Sequence, residues 1–267
     1  MSVISVTVGT LEYLRADGIG VPHCFTTRLG GVSQGHLSSL NMGVRRGDAP
    51  ENVVRNMEIL GKELGFSTDM LVSCRQIHSD TVHRVDMTHT GGYFIEGASP
   101  VGDALITNVP GITLVVFTAD CTPILLHDPV TGAVGAVHAG WRGTAMGIVA
   151  KTVNAMVEAY GCDPKNIRAA IGPNIGQCCF ETDADVPDAL KDALGPEMEA
   201  HIRKSGEKYY VNLKEANALW LRRCGVFNIE ISTLCTACRQ DLFWSHRKVG
   251  QHRGSQGAII VCKEVRP

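Results

Sequence analysis

The stretch "ITLVVFTADCTPILLHDPVTGAVGAVHAG", residues 112–140, is the part of the sequence that decides the predicted fold. It contains three runs of strand composition, at 112–119, 123–128 and 133–138, and the sequence PVTGA forms a turn between the second and the third. Near-continuous apolar runs of this kind are typical of strands that are buried on both faces. We therefore expect a buried sheet in the middle of the chain.

Helical and strand patterns alternate on both sides of this stretch. Residues 50–65 carry apolar residues at helical spacing, with Asp48 expected as the cap and Gly65 as the stop. After residue 140, a helical pattern runs to Gly161. Two more helical patterns, at 184–194 and 212–225, and strand patterns at 103–109, 167–172, 229–233 and 257–263 complete the chain. The alternation predicts an α/β fold, a single domain over residues 1–267 with a mixed sheet core flanked by helices.

The composition argues against several classes of function. The 267 residues include 25 basic and 27 acidic ones, so no strong positive charge favours nucleic-acid binding. The most apolar stretch is interrupted by Asp120, which argues against a membrane span. The first residues lack the pattern of a signal peptide, so we expect a cytoplasmic protein whose ten cysteines are reduced.

Three residues at or near the ends of predicted strands are candidates for chemistry. They are His78 in "QIHSDTVHRVD" (76–86), Cys121 in "TADCTPILL" and His138 in "AVHAGWRG". Two imidazoles and one thiolate are a ligand set of catalytic zinc sites, in which the metal lowers the pKa of a bound water to about 7. The same residues also fit a metal-free site in which Cys121 is a nucleophile and a histidine its base. With ten histidines and ten cysteines a chance trio is also easy to find, and spacing does not separate these interpretations.

Other motifs admit both a functional and a structural interpretation. Cys235 and Cys238 form a CxxC, but there is no second CxxC to complete a structural zinc site, so buried thiols are favoured over a metal or redox role. Arg142 in "HAGWRGT" lies near a predicted helix start and suits either an anion site or a tight turn. The loop 26–43, with Arg28 and Asn41, suits either a sugar or anion site or a capped surface turn.

Seven motifs together resemble one known family, the YfiH family, from about residue 22 to the end of the chain. Members of that family have been described as multicopper polyphenol oxidoreductases (laccases) and as purine nucleoside phosphorylases with adenosine deaminase activity. The motifs are TTRLGGVSQGHLSSLNMG (26–43), RQIHSDTV (75–82), GDALIT (102–107), TADCTPILL (118–126), AVHAGWRGT (136–144), AIGPNIGQCCFE (170–181) and SHRKVGQHRG (245–254).

The resemblance implies a fold shared with cytotoxic necrotizing factor toxins. It also implies a zinc ion held by His78, Cys121 and His138, and a substrate pocket that includes Arg28, Asn41 and Arg142. That list of six residues is our prediction of the site.

The implied reaction is phosphorolysis of adenosine, inosine, guanosine or methylthioadenosine to the base and ribose 1-phosphate, together with deamination of adenosine to inosine. The expected partners are therefore a purine nucleoside and phosphate, and the expected assembly is a monomer or homodimer. Asp120 and Glu181 are candidates for the acid/base or for a supporting role.

Two alternatives stay open. One is a copper-dependent polyphenol oxidase, since a His₂Cys set also binds copper, although the His-x-His pairs typical of laccases are absent from the sequence. The other is a Cys-His hydrolase or amidase that acts in the editing of peptidoglycan precursors. The sequence also departs from the usual family pattern at Phe180, where tyrosine is common, and at His246 and Lys248, which leaves the specificity open.

Overall fold

Two six-stranded sheets form the centre of the protein in a computed structural model that describes residues 3–91 and 99–265. Sheet one has the order β1 (Val3–Val8), β2 (Leu11–Ala16), β3 (His23–Thr26), β15 (Gln256–Val261), β7 (Thr113–Thr118), β4 (Leu71–Ser73). Sheet two has the order β14 (Asn228–Ile231), β10 (Arg168–Ile171), β8 (Thr122–His127), β9 (Val134–Ala139), β6 (Ala104–Thr107), β5 (Val82–Arg84). A small third sheet has the order β11 (Glu181–Thr182), β13 (Lys208–Val211), β12 (Ile202–Ser205).

Both large sheets are mixed. Neighbouring strands are antiparallel except for β4 with β7 in sheet one, and β5 with β6 and β10 with β14 in sheet two. The helices are α1 (Pro50–Leu64), α2 (Trp141–Ala145), α3 (Ile148–Tyr160), α4 (Asp185–Leu194), α5 (Leu213–Arg223) and α6 (His246–Val249). Within the described ranges, every helix is too short or too polar to cross a lipid bilayer.

The two large sheets pack face to face, and helices cover their outer faces. Leu114 of β7 and Leu125 of β8 belong to the apolar cluster between the sheets. Met57 of α1 packs against the outer face of sheet one, and Val153 of α3 against that of sheet two, where α5 also contributes. Because β7, β8 and β9 are covered on both faces, their sequences read as continuous apolar runs.

The predicted mixed α/β fold is therefore confirmed, while its core is divided between two sheets. The helix expected at 50–65 is α1, and Gly65 ends it at a φ of 71°. Asp48 is not its cap, because Ala49 occupies that position without a capping side chain. The Asp48 carboxylate instead accepts hydrogen bonds from Ser33 Oγ at 2.6 Å and Asn52 Nδ2 at 2.9 Å.

Two connections between the sheets determine where the candidate site forms. The chain passes from β4 in sheet one to β5 in sheet two through residues 74–81, and from β7 in sheet one to β8 in sheet two through residues 119–121. The next strand, β9, pairs with β8 so that Pro123 lies opposite His138. The two connections and the C-terminal end of β9 therefore come together at one end of the two packed sheets.

Candidate metal centre

The structure brings His78, Cys121 and His138 together at this place. The Nε2 atom of His78 lies 3.8 Å from the Sγ atom of Cys121. The two imidazole rings meet edge to face with their centroids 4.9 Å apart, and the three ligand atoms all lie within 4.8 Å of one another. His138 is buried, Cys121 is half-buried and His78 is exposed, so the trio has a protected side and an open side.

Unusual backbone geometry turns two of these residues toward each other. His78 has a φ of 62° and Asp120, which precedes Cys121, has a φ of 90°. Gly140 faces the trio, and a Cβ atom there would lie 2.7 Å from Cδ2 of His78 and 3.4 Å from Sγ of Cys121. The glycine after "VHA" is therefore required for the close approach of β9 to His78.

Asp103 is the residue that holds the two histidines of the trio in place, and the sequence analysis did not select it. Its Oδ1 atom accepts hydrogen bonds from the backbone N–H of His78 at 3.0 Å and from Nδ1 of His138 at 2.8 Å. Its Oδ2 atom accepts from the N–H and the hydroxyl of Ser79, at 2.6 and 2.7 Å. Because His138 donates from Nδ1, its Nε2 atom is left to face Cys121 and His78. The only sequence signal for Asp103 is an aspartate at the start of a buried strand in "GDALIT".

Asp120 holds the backbone beside Cys121. Its carboxylate accepts hydrogen bonds from Thr236 Oγ1 at 2.6 Å, Ser245 Oγ at 3.0 Å and the N–H of Arg247 at 2.7 Å. These bonds occupy the carboxylate, so the geometry gives Asp120 a positioning role rather than that of an acid or base. The other acid/base candidate, Glu181, lies on β11 and accepts from the Tyr210 hydroxyl at 2.6 Å.

Cys121 and His138 form a charge-coupled pair when no metal is bound. Burial acts to raise the pKa of Cys121, but the charge of His138 and hydrogen bonds from His138 and His78 outweigh it and lower the pKa to about 6. Burial acts to lower the pKa of His138, but the Cys121 thiolate and the hydrogen bond to Asp103 raise it to about 9. At neutral pH the pair is therefore a thiolate beside an imidazolium.

The donor set fits a metal ion. In a tetrahedral zinc site with Zn–N of about 2.0 Å and Zn–S of about 2.3 Å, the nitrogen and sulfur ligands are about 3.5 Å apart. The distance of 3.8 Å between His78 and Cys121 is close to that separation. Three protein ligands leave a fourth position open, which is the arrangement of catalytic rather than structural zinc sites.

A cavity of 790 Å³ opens in front of the trio. Its wall carries four arginines, and two of them, Arg46 and Arg253, converge at Ser255, whose Oγ accepts from Nε of Arg46 at 3.3 Å and from Nη1 of Arg253 at 3.4 Å. Burial, followed by the charge of Arg46, lowers the pKa of Arg253 to about 10. Within the described ranges, neither guanidinium forms an ion pair with a carboxylate. The cavity therefore presents two guanidiniums that no carboxylate contacts directly within the described ranges, an arrangement that suits an anion.

The three residues predicted to bind substrate do not line this cavity. The Arg28 guanidinium donates to the carbonyls of Ser38 and Gln240 and stacks on the Trp244 ring at 3.8 Å. Asn41 is fully buried, and its side chain bonds to Gly43, Asp48 and the N–H of Ser255. Arg142 is exposed and lies over the Trp141 ring. Substrate contact by these three residues stays a prediction. Asn41 also has a structural role, because its hydrogen bond fixes the backbone of Ser255 directly before β15.

A layered α/β protein with a His₂Cys ligand set beside an arginine-lined cavity is the class that this geometry defines. The chain belongs to the family described as "Multi-copper polyphenol oxidoreductase laccase", whose sequence profile matches residues 22–263.

Several relatives carry a more specific name. The chain is 39% identical over 241 residues to purine nucleoside phosphorylase YlmD of Geobacillus stearothermophilus, covering 88% of this chain and 87% of that protein. It is 37% identical over 257 residues to a purine nucleoside phosphorylase of Deinococcus radiodurans, covering 96% and 94%. The crystal structure of G. stearothermophilus YlmD matches with a TM-score of 0.91 at 37% identity, over 98% of this chain and 100% of that one. The crystal structure of Bacillus licheniformis YfiH matches with a TM-score of 0.89 at 32% identity, over 96% and 97%.

The family description contains the word laccase, but the histidines of this protein do not form the multicopper site of a laccase within the described ranges. Within the described ranges, the groups of three or more residues that could hold a metal are His78 with Cys121 and His138, and a second group made of cysteines alone. Neither is the cluster of about eight histidines that a trinuclear copper site needs.

Replacement of Asp103 by asparagine should weaken metal binding by roughly 10- to 100-fold, because the loss of a carboxylate behind a histidine ligand typically has that effect. The affinity is measured by competition with a chromophoric chelator. Asp80→Asn is the matched control, since Asp80 lies in the same loop but pairs with Lys151 at the surface. Equal affinities of Asp103→Asn and the parent protein would contradict the positioning role.

Metal binding to the metal-free protein should release about one proton from His138 at pH 7.5, because a metal-bound histidine must give up the extra proton. With its pKa raised to about 9, His138 holds that proton at pH 7.5, whereas Cys121, with its pKa lowered to about 6, has already lost its own. This contribution should fall toward zero as the pH rises through 9, whereas a proton lost by a metal-bound water with a pKa of about 7 is still released there. Calorimetric titration in buffers of different ionisation enthalpy measures the total number of protons, and a total that does not fall over this range would show that His138 is already neutral at pH 7.5.

Proposed function

We propose that the protein is a zinc-dependent purine nucleoside phosphorylase that also deaminates adenosine. The proposed substrates are adenosine, inosine, guanosine and methylthioadenosine. The observation that carries the proposal is that one cavity joins a group of three possible metal ligands to the guanidiniums of Arg46 and Arg253, which form no ion pair with a carboxylate within the described ranges. The names of the relatives supply the class of substrate.

The proposed metal site consists of His78, Cys121 and His138. Zinc fits this mixture of two imidazoles and one thiolate, and bound there it supplies a Lewis acid that polarises an oxygen atom and lowers the pKa of water. Asp103 accepts a hydrogen bond from Nδ1 of His138 and thereby keeps Nε2 of the same ring directed at the site. Copper stays the alternative, since its intrinsic affinity for such ligands exceeds that of zinc.

The proposed phosphate site consists of Arg46 and Arg253 with the Ser255 hydroxyl between them. Phosphate would offset the repulsion between two guanidiniums that the protein holds close together. Arg253 is 9% exposed, so its attraction for an anion is weakly screened by water. Held there, a phosphate oxygen can attack C1′ of the ribose while the bond from C1′ to the purine nitrogen breaks and its electron pair leaves with the base.

The proposed base site uses the apolar part of the cavity wall. Phe117 is half-buried near the end of β7, and the exposed residues Val44 and Val101 line the same cavity. A purine ring has two apolar faces, which pack well on such side chains. Gln76 fixes this part of the wall, since its side-chain amide exchanges two hydrogen bonds of 2.7 Å with the backbone of Phe117.

A thiol hydrolase is the second candidate function, because one observation favours it. Cys121, His138 and Asp103 form a chain of thiolate, imidazolium and carboxylate, which is the arrangement of cysteine hydrolases. In this alternative Cys121 attacks a carbonyl carbon and metal inhibits the enzyme. The two proposals therefore give opposite responses to a chelator.

The experiment is an assay of inosine cleavage to hypoxanthine with varied phosphate. Replacing Arg46 by alanine should raise KM for phosphate roughly ten- to a hundredfold, because one charge-assisted hydrogen bond contributes about 1.5–3 kcal/mol. The matched control is Arg55→Ala, which removes a guanidinium paired with Glu58 on the surface of α1. Removal of the metal and Cys121→Ala should each abolish turnover.

Phosphate-independent cleavage of inosine, or unchanged turnover by Cys121→Ala, would contradict the proposal. Deamination is measured separately as inosine formed from adenosine without phosphate. Activity on an amide substrate that rises on addition of a chelator would instead favour the thiol hydrolase.

A further inference from the structure

Four cysteines outside the candidate metal centre meet on the C-terminal side of two neighbouring strands. Cys178 and Cys179 follow β10, and Cys235 and Cys238 follow β14. Because β10 and β14 are parallel neighbours, the segments after them leave the sheet at the same edge. The pairing continues beyond the strands, where the N–H of Thr236 donates to the carbonyl of Asn174 at 2.9 Å.

The four sulfur atoms have the spacing of a tetrahedral metal site. All lie within 4.8 Å of one another, and Cys238 Sγ is 3.6 Å from that of Cys178 and 3.4 Å from that of Cys179. Four thiolates around zinc, each at about 2.3 Å, are about 3.8 Å apart, whereas a disulfide needs about 2.05 Å. We propose that Cys178, Cys179, Cys235 and Cys238 bind a second metal ion, zinc, as a structural tetrathiolate site.

The surrounding backbone is shaped to accommodate the sulfur atoms. The N–H of Gly176 donates to the Cys235 sulfur at 3.1 Å, a bond that stabilises a thiolate. A Cβ atom on Gly176 would lie 3.2 Å from the Cys178 sulfur and 3.5 Å from that of Cys235. A side chain at residue 176 would therefore crowd two of the four ligands.

A buried cation beside the cysteines supplies an independent argument. Lys214 is 7% exposed, and its Nζ atom donates to the carbonyl of Leu234 at 2.7 Å. Within the described ranges it forms no ion pair with a carboxylate. Burial lowers the pKa of Lys214 to about 8, and negative charge on Cys235 and Cys178 acts in the opposite direction. A zinc tetrathiolate carries a net charge of about −2 and would therefore compensate the charge of the buried Lys214 ammonium. Four neutral thiols would leave that charge without an anionic partner.

The role of this site is structural. Four protein ligands leave no open position, and the four cysteines are absent from the wall of the 790 Å³ cavity. The metal would tie the segment after β10 to the segment after β14. Both segments form hydrogen bonds to Asp120. The N–H of Ile175 donates to the Asp120 carbonyl at 2.9 Å, and the Thr236 hydroxyl donates to the Asp120 carboxylate. The second site would thereby support the backbone turn that carries Cys121.

Metal content of the full chain, purified with reductant and without oxygen or added metal, tests the proposal. Elemental analysis should give about two zinc ions per chain for the parent protein and about one for Cys235→Ser/Cys238→Ser. The matched control, Cys224→Ser, removes a half-buried thiol outside the cluster and should keep about two. Equal zinc content in the parent and the Cys235→Ser/Cys238→Ser protein would overturn the proposal.

X-ray absorption at the zinc edge gives a test that leaves the four cysteines unchanged. In His78→Ala/His138→Ala the candidate metal centre is disabled, so the remaining zinc should have about four sulfur neighbours at about 2.3 Å. Two or fewer sulfur neighbours, no bound zinc, or a disulfide among these cysteines in the anaerobic protein would overturn the proposal. Loss of nucleoside turnover in this variant concerns the proposed function alone, so the two proposals fail independently.

Discussion

The carboxylate of Asp103 is the constraint on which the candidate metal centre depends. It is fully buried, yet it accepts hydrogen bonds from the backbone of the 77–79 loop, from the Ser79 hydroxyl and from the His138 ring. A buried charge is tolerated when its oxygens are saturated in this way. These hydrogen bonds also outweigh the effect of burial and hold the pKa of Asp103 well below its usual range. One side chain thus fixes both the loop position of His78 and the ring orientation of His138.

The face-to-face sheets explain why three distant residues meet. The segments with His78 and Cys121 are places where the chain leaves sheet one for sheet two, and they follow β4 and β7, which are parallel neighbours in sheet one. His138 lies beside Cys121 because β9 pairs with β8, which starts directly after Cys121. The same principle brings the four cysteines together, since they follow the parallel neighbours β10 and β14. In both cases the chemistry lies on short connections held by rigid strands.

The sequence and the family resemblance predicted the elements of the fold and the meeting of His78, Cys121 and His138 better than the surroundings of these three residues. Apolar periodicity located α1, α3 and the central strands, because burial on one or two faces leaves a direct pattern. It did not reveal two sheets, since a strand in a sandwich and a strand in a single covered sheet have the same composition. Asp103 and Arg46 were missed because their roles arise from contacts with residues 25 and 209 positions away. Arg253 was missed because its role depends on its closeness to Arg46, which is similarly distant in the sequence. Likewise, Cys178 and Cys179 have no spacing motif that links them to Cys235 and Cys238.

The account rests on a metal ion held by His78, Cys121 and His138, and X-ray diffraction at the zinc absorption edge tests that claim most directly. Crystals of protein purified without added metal should give an anomalous peak about 2.0–2.3 Å from Nε2 of both histidines and Sγ of Cys121. The peak should vanish below the edge. Absence of density there, with the Cys121 sulfur in direct hydrogen-bonding contact with His138, would contradict the account and leave the thiol–imidazole pair as the functional unit.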